Sequence, residues 1–141
     1  LARQEILYEN YYKTINIEAQ TLAMMAKRNI MGAALQYESR LAKTIASKKA
    51  AVPDIKCTVE EKHLLRISEL IAGLDESIVS LEDDMKKEEE MDDVVELANY
   101  HQTTIMDAMN SVREVIDEME TLIPLELWPY PTYGQILYSV R

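Results

Sequence analysis

The sequence predicts an all-α protein, a long antiparallel three-helix bundle (up-down-up) with an extended Trp/Pro/Tyr tail and a short terminal helix. Three observations carry this. Only three glycines and four prolines stand among 141 residues rich in Ala, Leu, Glu, Met and Lys, the composition of a helical chain. Apolar residues recur in steps of three and four through three long stretches, the period of one helix face. Prolines stand where those stretches stop, at Pro53 and Pro124, and in the tail, because proline fixes φ and removes a backbone donor.

The first helix is expected over residues 3–51. Its stripe runs through Ile15, Ala19, Leu22, Ala26, Ile30, Ala33, Tyr37, Leu41 and Ile45. At ~1.5 Å per residue it reaches roughly 70 Å. Gly32 is its weak point, since glycine inside a helix costs about 1 kcal/mol relative to alanine. Val52, Pro53 and Asp54 stop it. The second helix is expected over 58–87. Thr58 and Glu61 have the spacing of a capping box, the hydroxyl bonding the third amide and the carboxylate reaching back. Leu64, Ile67, Ile71, Leu74, Ile78, Leu81 and Met85 then form a heptad seam. Continuing that phase would bury Glu88 and Asp92, so a turn is placed within residues 87–92. The third helix is expected over 92–122, with Met91, Val94, Ala98, His101, Ile105, Ala108, Val112, Val115, Met119 and Leu122 as its seam.

Two seams of similar length joined by a short turn make an antiparallel pair, and the first helix supplies the third face. Charge favours the arrangement. Residues 1–52 carry eight Lys/Arg against four Asp/Glu, and the remainder seven against twenty-one. Each exposed pair contributes only ~0–1 kcal/mol. After Pro124, Trp128, Pro129 and Pro131 call for an extended run across a surface, and Thr132 can cap a short helix over 132–138 carrying Ile136, Leu137 and Tyr138. Trp128, Pro129, Pro131 and Tyr133 are the expected structural anchors, with the indole bringing the largest apolar area. The whole reads as a single helical domain over 1–141.

A net charge of −10 argues against a nucleic-acid or anionic-membrane partner. No apolar run approaches a membrane span, and no signal peptide is visible. Cys57 stands alone, which suits a reducing, cytoplasmic setting and leaves an inert thiol. Leu1 is not a start methionine and the helical pattern begins at once, as expected of a piece of a longer protein.

Chemistry is sparse. Glu60 and His63 have the Glu-x-x-His spacing of di-metal bundles, but His101 has Ala98 three residues before it, so the required second copy is missing. Both are read as first-turn surface residues, and no metal, cofactor or catalytic residue is assigned. His101 lies in a seam and is expected to pack its ring and hydrogen-bond a neighbour, with no nucleophile or carboxylate placed beside it. The acidic run over 82–96 lacks the alternating ligands and central glycine of a calcium loop and reads as a solvated turn. Tyr8, Tyr11 and Tyr12 cluster near one end of the chain and Tyr130, Tyr133 and Tyr138 at the other, an arrangement read as burial against further protein.

Three stretches carry a family likeness. LWPYPTYGQILY (127–138) resembles the WPFPTY…LLF ending of type III glutamine synthetases. EILYENYYKTINIEA (5–19) is similar to the EILLENYIKKIQIEA-like helix of that family, and SVREVIDEMETLI (111–123) is similar to its penultimate helix. The resemblance implies the C-terminal region of an enzyme that joins glutamate and ammonia using ATP and magnesium or manganese, through a γ-glutamyl phosphate. In that family the metal, nucleotide and glutamate residues lie in an upstream catalytic domain, so this chain alone is expected to be inactive. The family assembles as double hexameric rings, which implies a structural role toward the catalytic domain and neighbouring subunits. Tyr8, Tyr11 and Tyr12 are the expected contact to the catalytic domain. A proline often stands near Gly32 in the family, so a bend is expected there. Two alternatives stand beside this: a regulatory module binding an effector or protein, and a free-standing helical adaptor resembling a spectrin-type repeat.

Overall fold

The computed structural model describes residues 2–131, and no strand occurs among them. The first long helix comprises α1 (Ala2–Met25), a π-helical turn (Ala26–Ile30) and α2 (Met31–Ala51). α3 (Thr58–Lys87) runs back along it, followed by a 3-10 turn (Glu88–Glu90). The third helix comprises α4 (Val94–Tyr100), a second π-helical turn (His101–Ile105) and α5 (Met106–Leu122). α3 is the central element, packed on α2 and α5, and α4 lies against α1 beyond the end of α3.

The first helix is continuous through Gly32, where an added Cβ would meet nothing within 4 Å. The irregularity sits just before it, at Ala26–Ile30, and the apolar stripe explains why. From Ile15 to Ile45 the stripe takes eight steps over thirty residues, whereas eight straight α-helical turns hold only about 29. A π-turn closes i→i+5 bonds and so takes up one extra residue in a single turn. Ala26 and Ile30, at its two ends, are both buried.

The second π-turn shifts the seam of the third helix. Heptad counting places Ala108 and Leu122 inside, but the enclosed residues are Ile105, Met109, Val112, Met119 and Ile123, with Ala108 and Leu122 only half-buried. On α3 the buried set is Ile67, Leu70, Leu74, Ile78 and Leu81, while Ile71 is half-buried. A helix with neighbours on two sides needs a wider apolar face than one seam, and Leu70 widens it.

The capping box does not form. Cys57 is the N-cap residue, Glu61 N–H donates to the Cys57 carbonyl at 2.8 Å, and Thr58 is the first helical residue without a side-chain cap. The Glu61 carboxylate that would close the box is taken by the end of α2, where Lys49 bonds it at 3.0 Å, and Lys48 bonds the neighbouring Glu60. Asp93 does cap α4, its carboxylate accepting from Glu96 N–H at 3.3 Å. The charge asymmetry is realised in those pairs and in Lys27–Glu82 at 2.8 Å.

Beyond α5 the amides of Leu127 and Trp128 both donate to the Pro124 carbonyl, making a turn at 125–127 just ahead of the residues 128–131 expected to run extended. The tail then folds back along the first helix. Glu126 pairs with Arg40, and Asn29 donates to the Tyr130 hydroxyl. Trp128 is buried in the core cluster, with Leu127 and Tyr130 packed against it. Pro129 and Pro131 are exposed. Tyr133 and the helix expected over 132–138 lie outside the described residues.

Candidate functional site

The residues singled out for chemistry separate on folding. Glu60 is held by Lys48, whose hydrogen bond keeps the carboxyl below its ordinary value of 4.5. His63 Nδ1 meets the Tyr37 hydroxyl at 3.0 Å. Tyr37 is buried, which pushes its hydroxyl up from 10.0. The pair thus serves the α2–α3 contact. Cys57 is free and buried. Among the described residues no three His, Cys, Asp or Glu come together as metal ligands. No helix there is long and apolar enough to cross a membrane.

The polar group that folding does enclose is His101, the one buried polar or charged residue of the described chain. Its Nδ1 donates to the Leu97 carbonyl at 2.8 Å, and its Nε2 lies 2.6 Å from Glu88 Oε2. Tyr12 covers the ring at a centroid distance of 5.6 Å, and Tyr100 meets it edge-on at 6.2 Å. The Tyr100 hydroxyl donates to the Asp84 carbonyl at 2.6 Å. Burial pushes Tyr100 up from 10.0, reinforced by Asp84 and Glu88. Burial also pushes the Glu88 carboxyl up from 4.5, against the opposing pull of His101.

This corrects two expectations. A carboxylate does stand beside His101, and the acidic run is not uniformly solvated, because Glu88 turns inward. The signal was present in the phase: Glu88 continues the α3 stripe one step past Met85, and His101 holds the facing position in the third helix. Reading every charged residue as solvent-facing hid the pairing.

Tyr12 is half-buried on His101, whereas Tyr8 and Tyr11 remain exposed, at 40% and 38%. With Leu7, Ala98 and Gln102 they line a shallow groove of about 270 Å³ between α1 and the third helix. Ile6 and Leu7 are more exposed still, at 57% and 64%, and Val95 adds to the apolar surface on α4. This end of the bundle can bind an apolar surface, and nothing in it resembles a phosphate cradle.

Residues 1–49 match the family model described as the glutamine synthetase C-terminal domain. A glutamine synthetase of Butyrivibrio fibrisolvens is 36% identical over 99% of this chain and 20% of its own length. A type-3 glutamine synthetase of Dictyostelium discoideum is 27% identical over 97% of this chain and 19% of its own. A glutamine synthetase of Bacteroides fragilis is 25% identical, with the same shares. The chain thus spans about a fifth of the length of the curated relatives it matches. A family model over the first helix and relatives aligned along nearly the whole chain converge, and the chain belongs to the glutamine synthetase C-terminal domain family.

Proposed function

We propose that this chain is the assembly domain of a larger ATP-dependent glutamate–ammonia ligase and that it takes no part in the chemistry. The parent enzyme would make glutamine from glutamate, ammonia and ATP with magnesium or manganese, working in the cytoplasm as a homo-oligomer of the ring type. The observation that carries the reading is the apolar end of α1: Leu7, Tyr8 and Tyr11 stand exposed together and line one groove there. Contiguous apolar surface of this kind marks an interaction site. The catalytic domain and neighbouring subunits are the partners it would meet.

The test has two arms. Titrating ATP with magnesium into the 141-residue chain should give no binding heat, and micromolar binding would move part of the active site here. In the full-length enzyme, Leu7→Asp combined with Tyr11→Asp should shift sedimentation toward smaller species. Intact assembly in that variant would remove this surface from the interface.

A further inference from the structure

His101 and Glu88 form a proton-holding pair whose geometry dictates its occupancy. A carbonyl oxygen can only accept, so the 2.8 Å contact with Leu97 requires a hydrogen on His101 Nδ1. The 2.6 Å approach of Nε2 to Glu88 Oε2 would set lone pair against lone pair without one proton more. That proton sits on the imidazole, giving an ion pair, or on the carboxyl, giving a neutral donor; the two are forms of one macroscopic state. Neither atom makes an aligned hydrogen bond among the described residues, so the two meet as a close charge contact, and Asn16 Oδ1, which shares a groove with Glu88, is likewise buried without a partner.

The surroundings carry charges of both signs. Tyr12 faces the ring from α1 and Tyr100 from α4. Glu82 and Lys86 of α3 and Glu89 of the 3-10 turn line the groove beside Glu88, and Asp84 lies behind Tyr100. Lys27 pairs with Glu82 and Lys87 lies 3.9 Å from Asp84, so these charges balance and the preference for the proton comes from the two acceptors facing the ring nitrogens.

We propose that Glu88 and His101 form a one-proton latch fastening the 3-10 turn and α4 to the first helix, and that release of the proton opens the end of the bundle carrying Tyr8 and Tyr11. With the proton gone, a carboxylate faces an imidazole lone pair inside the protein, and separation relieves the repulsion. The hinge is at hand in the 3-10 turn Glu88–Glu90 and the non-helical residues 91–93 that follow it. Because Ala98 and Gln102 line the groove together with Leu7, Tyr8 and Tyr11, opening dismantles that surface. The latch therefore couples the pH of the medium to the shape of a docking face. Glu88 sets the sign. Its folded-state value is raised above 4.5, so its stabilising contribution is complete below 4.5 and is lost as pH rises through the folded value.

Amide hydrogen exchange across α4, corrected for intrinsic rates and recorded from roughly pH 5 to pH 9, tests this. An opening linked to loss of one proton grows by up to about tenfold per pH unit between the open-state and folded-state values and levels off above the folded one. Glu88→Gln keeps a donor toward Nε2 that cannot ionise, so its corrected opening should stay flat. Identical profiles in the two proteins, or a flat profile in the wild type, would overturn the latch. Imidazole nitrogen spectra supply a check that needs no change at Glu88, since the chain has two histidines and His63→Gln identifies the other. A bare Nδ1 on His101 would also end the proposal, and a protonated Nδ1 throughout is the result expected.

Discussion

Deleting Arg28 should leave the fold intact, which is an unusual outcome for removing a residue from the middle of a helix. In a straight α-helix a deletion rotates everything beyond it by about 100° and takes the apolar stripe off the core. Arg28 lies in the π-turn Ala26–Ile30 and is exposed. Removing it lets the turn revert to α-helix, and the stripe from Ile15 to Ile45 then covers twenty-nine residues in eight steps, the spacing of a regular helix. Ile15, Ala19 and Ala23 stay in phase with Tyr37 and Leu41, all five of them buried. The main loss is the Asn29–Tyr130 hydrogen bond, worth about 0.5–1.5 kcal/mol. The control is deletion of Gln36, equally exposed but in regular α2. That change turns Tyr37 and Leu41 away from the core at about 2–5 kcal/mol for each large side chain. Urea unfolding followed by circular dichroism separates the two: the Arg28 deletion should fall within roughly 1–2 kcal/mol of wild type and the Gln36 deletion far below it. Equal destabilisation would refute the view that the π-turn is a one-residue surplus.

Two further outcomes test the packing. Trp128 is the one tryptophan of the chain, so its emission should be blue-shifted and protected from quenchers, and Trp128→Ala should cost about 3 kcal/mol or more. A red-shifted, freely quenched indole would mean the tail is undocked. Ile105→Ala, at a fully enclosed position, should cost about 2–5 kcal/mol. Ile71→Ala, half-buried, should cost less, and exposed Glu69→Ala should stay within about 0.5 kcal/mol. Parity among these three would show that the helix faces are misassigned.

The helical class and the antiparallel bundle were legible because long stretches of strict three- and four-residue steps admit few other solutions. The deviations have separate causes. The first π-turn was countable from the stripe, since thirty residues in eight steps exceed a regular helix. The second was not, because the heptad pattern from Met91 to Leu122 fits a straight helix as well. Only the packing shows that Met109 and Ile123 displace Ala108 and Leu122. The Thr58–Glu61 motif misled because capping motifs are read locally, and Lys49 takes the Glu61 carboxylate from across a loop. The Glu88–His101 contact required pairing positions on two helices, and a single sequence states no such pairing. Family membership, by contrast, was carried by short motifs at the chain's two ends, independent of any of these details.

The disparity in helix length has a mechanical corollary. Residues 2–8 of α1 are all exposed, projecting beyond the part of the bundle where three helices meet. From Ala26, where the π-turn begins, back to Ala2 is a lever of roughly 36 Å at ~1.5 Å per residue. A change of about 10° at that pivot, well under the kink a π-bulge can produce, sweeps the tip by roughly 6 Å. The same rotation displaces side chains next to the pivot by only about 1 Å, a shift that close packing can absorb. Because Tyr12 and Ile15 on the same arm pack against the rest of the bundle, that end of the third helix must move with it, and a body attached at Tyr8 and Tyr11 would travel several ångströms together with the end of the bundle.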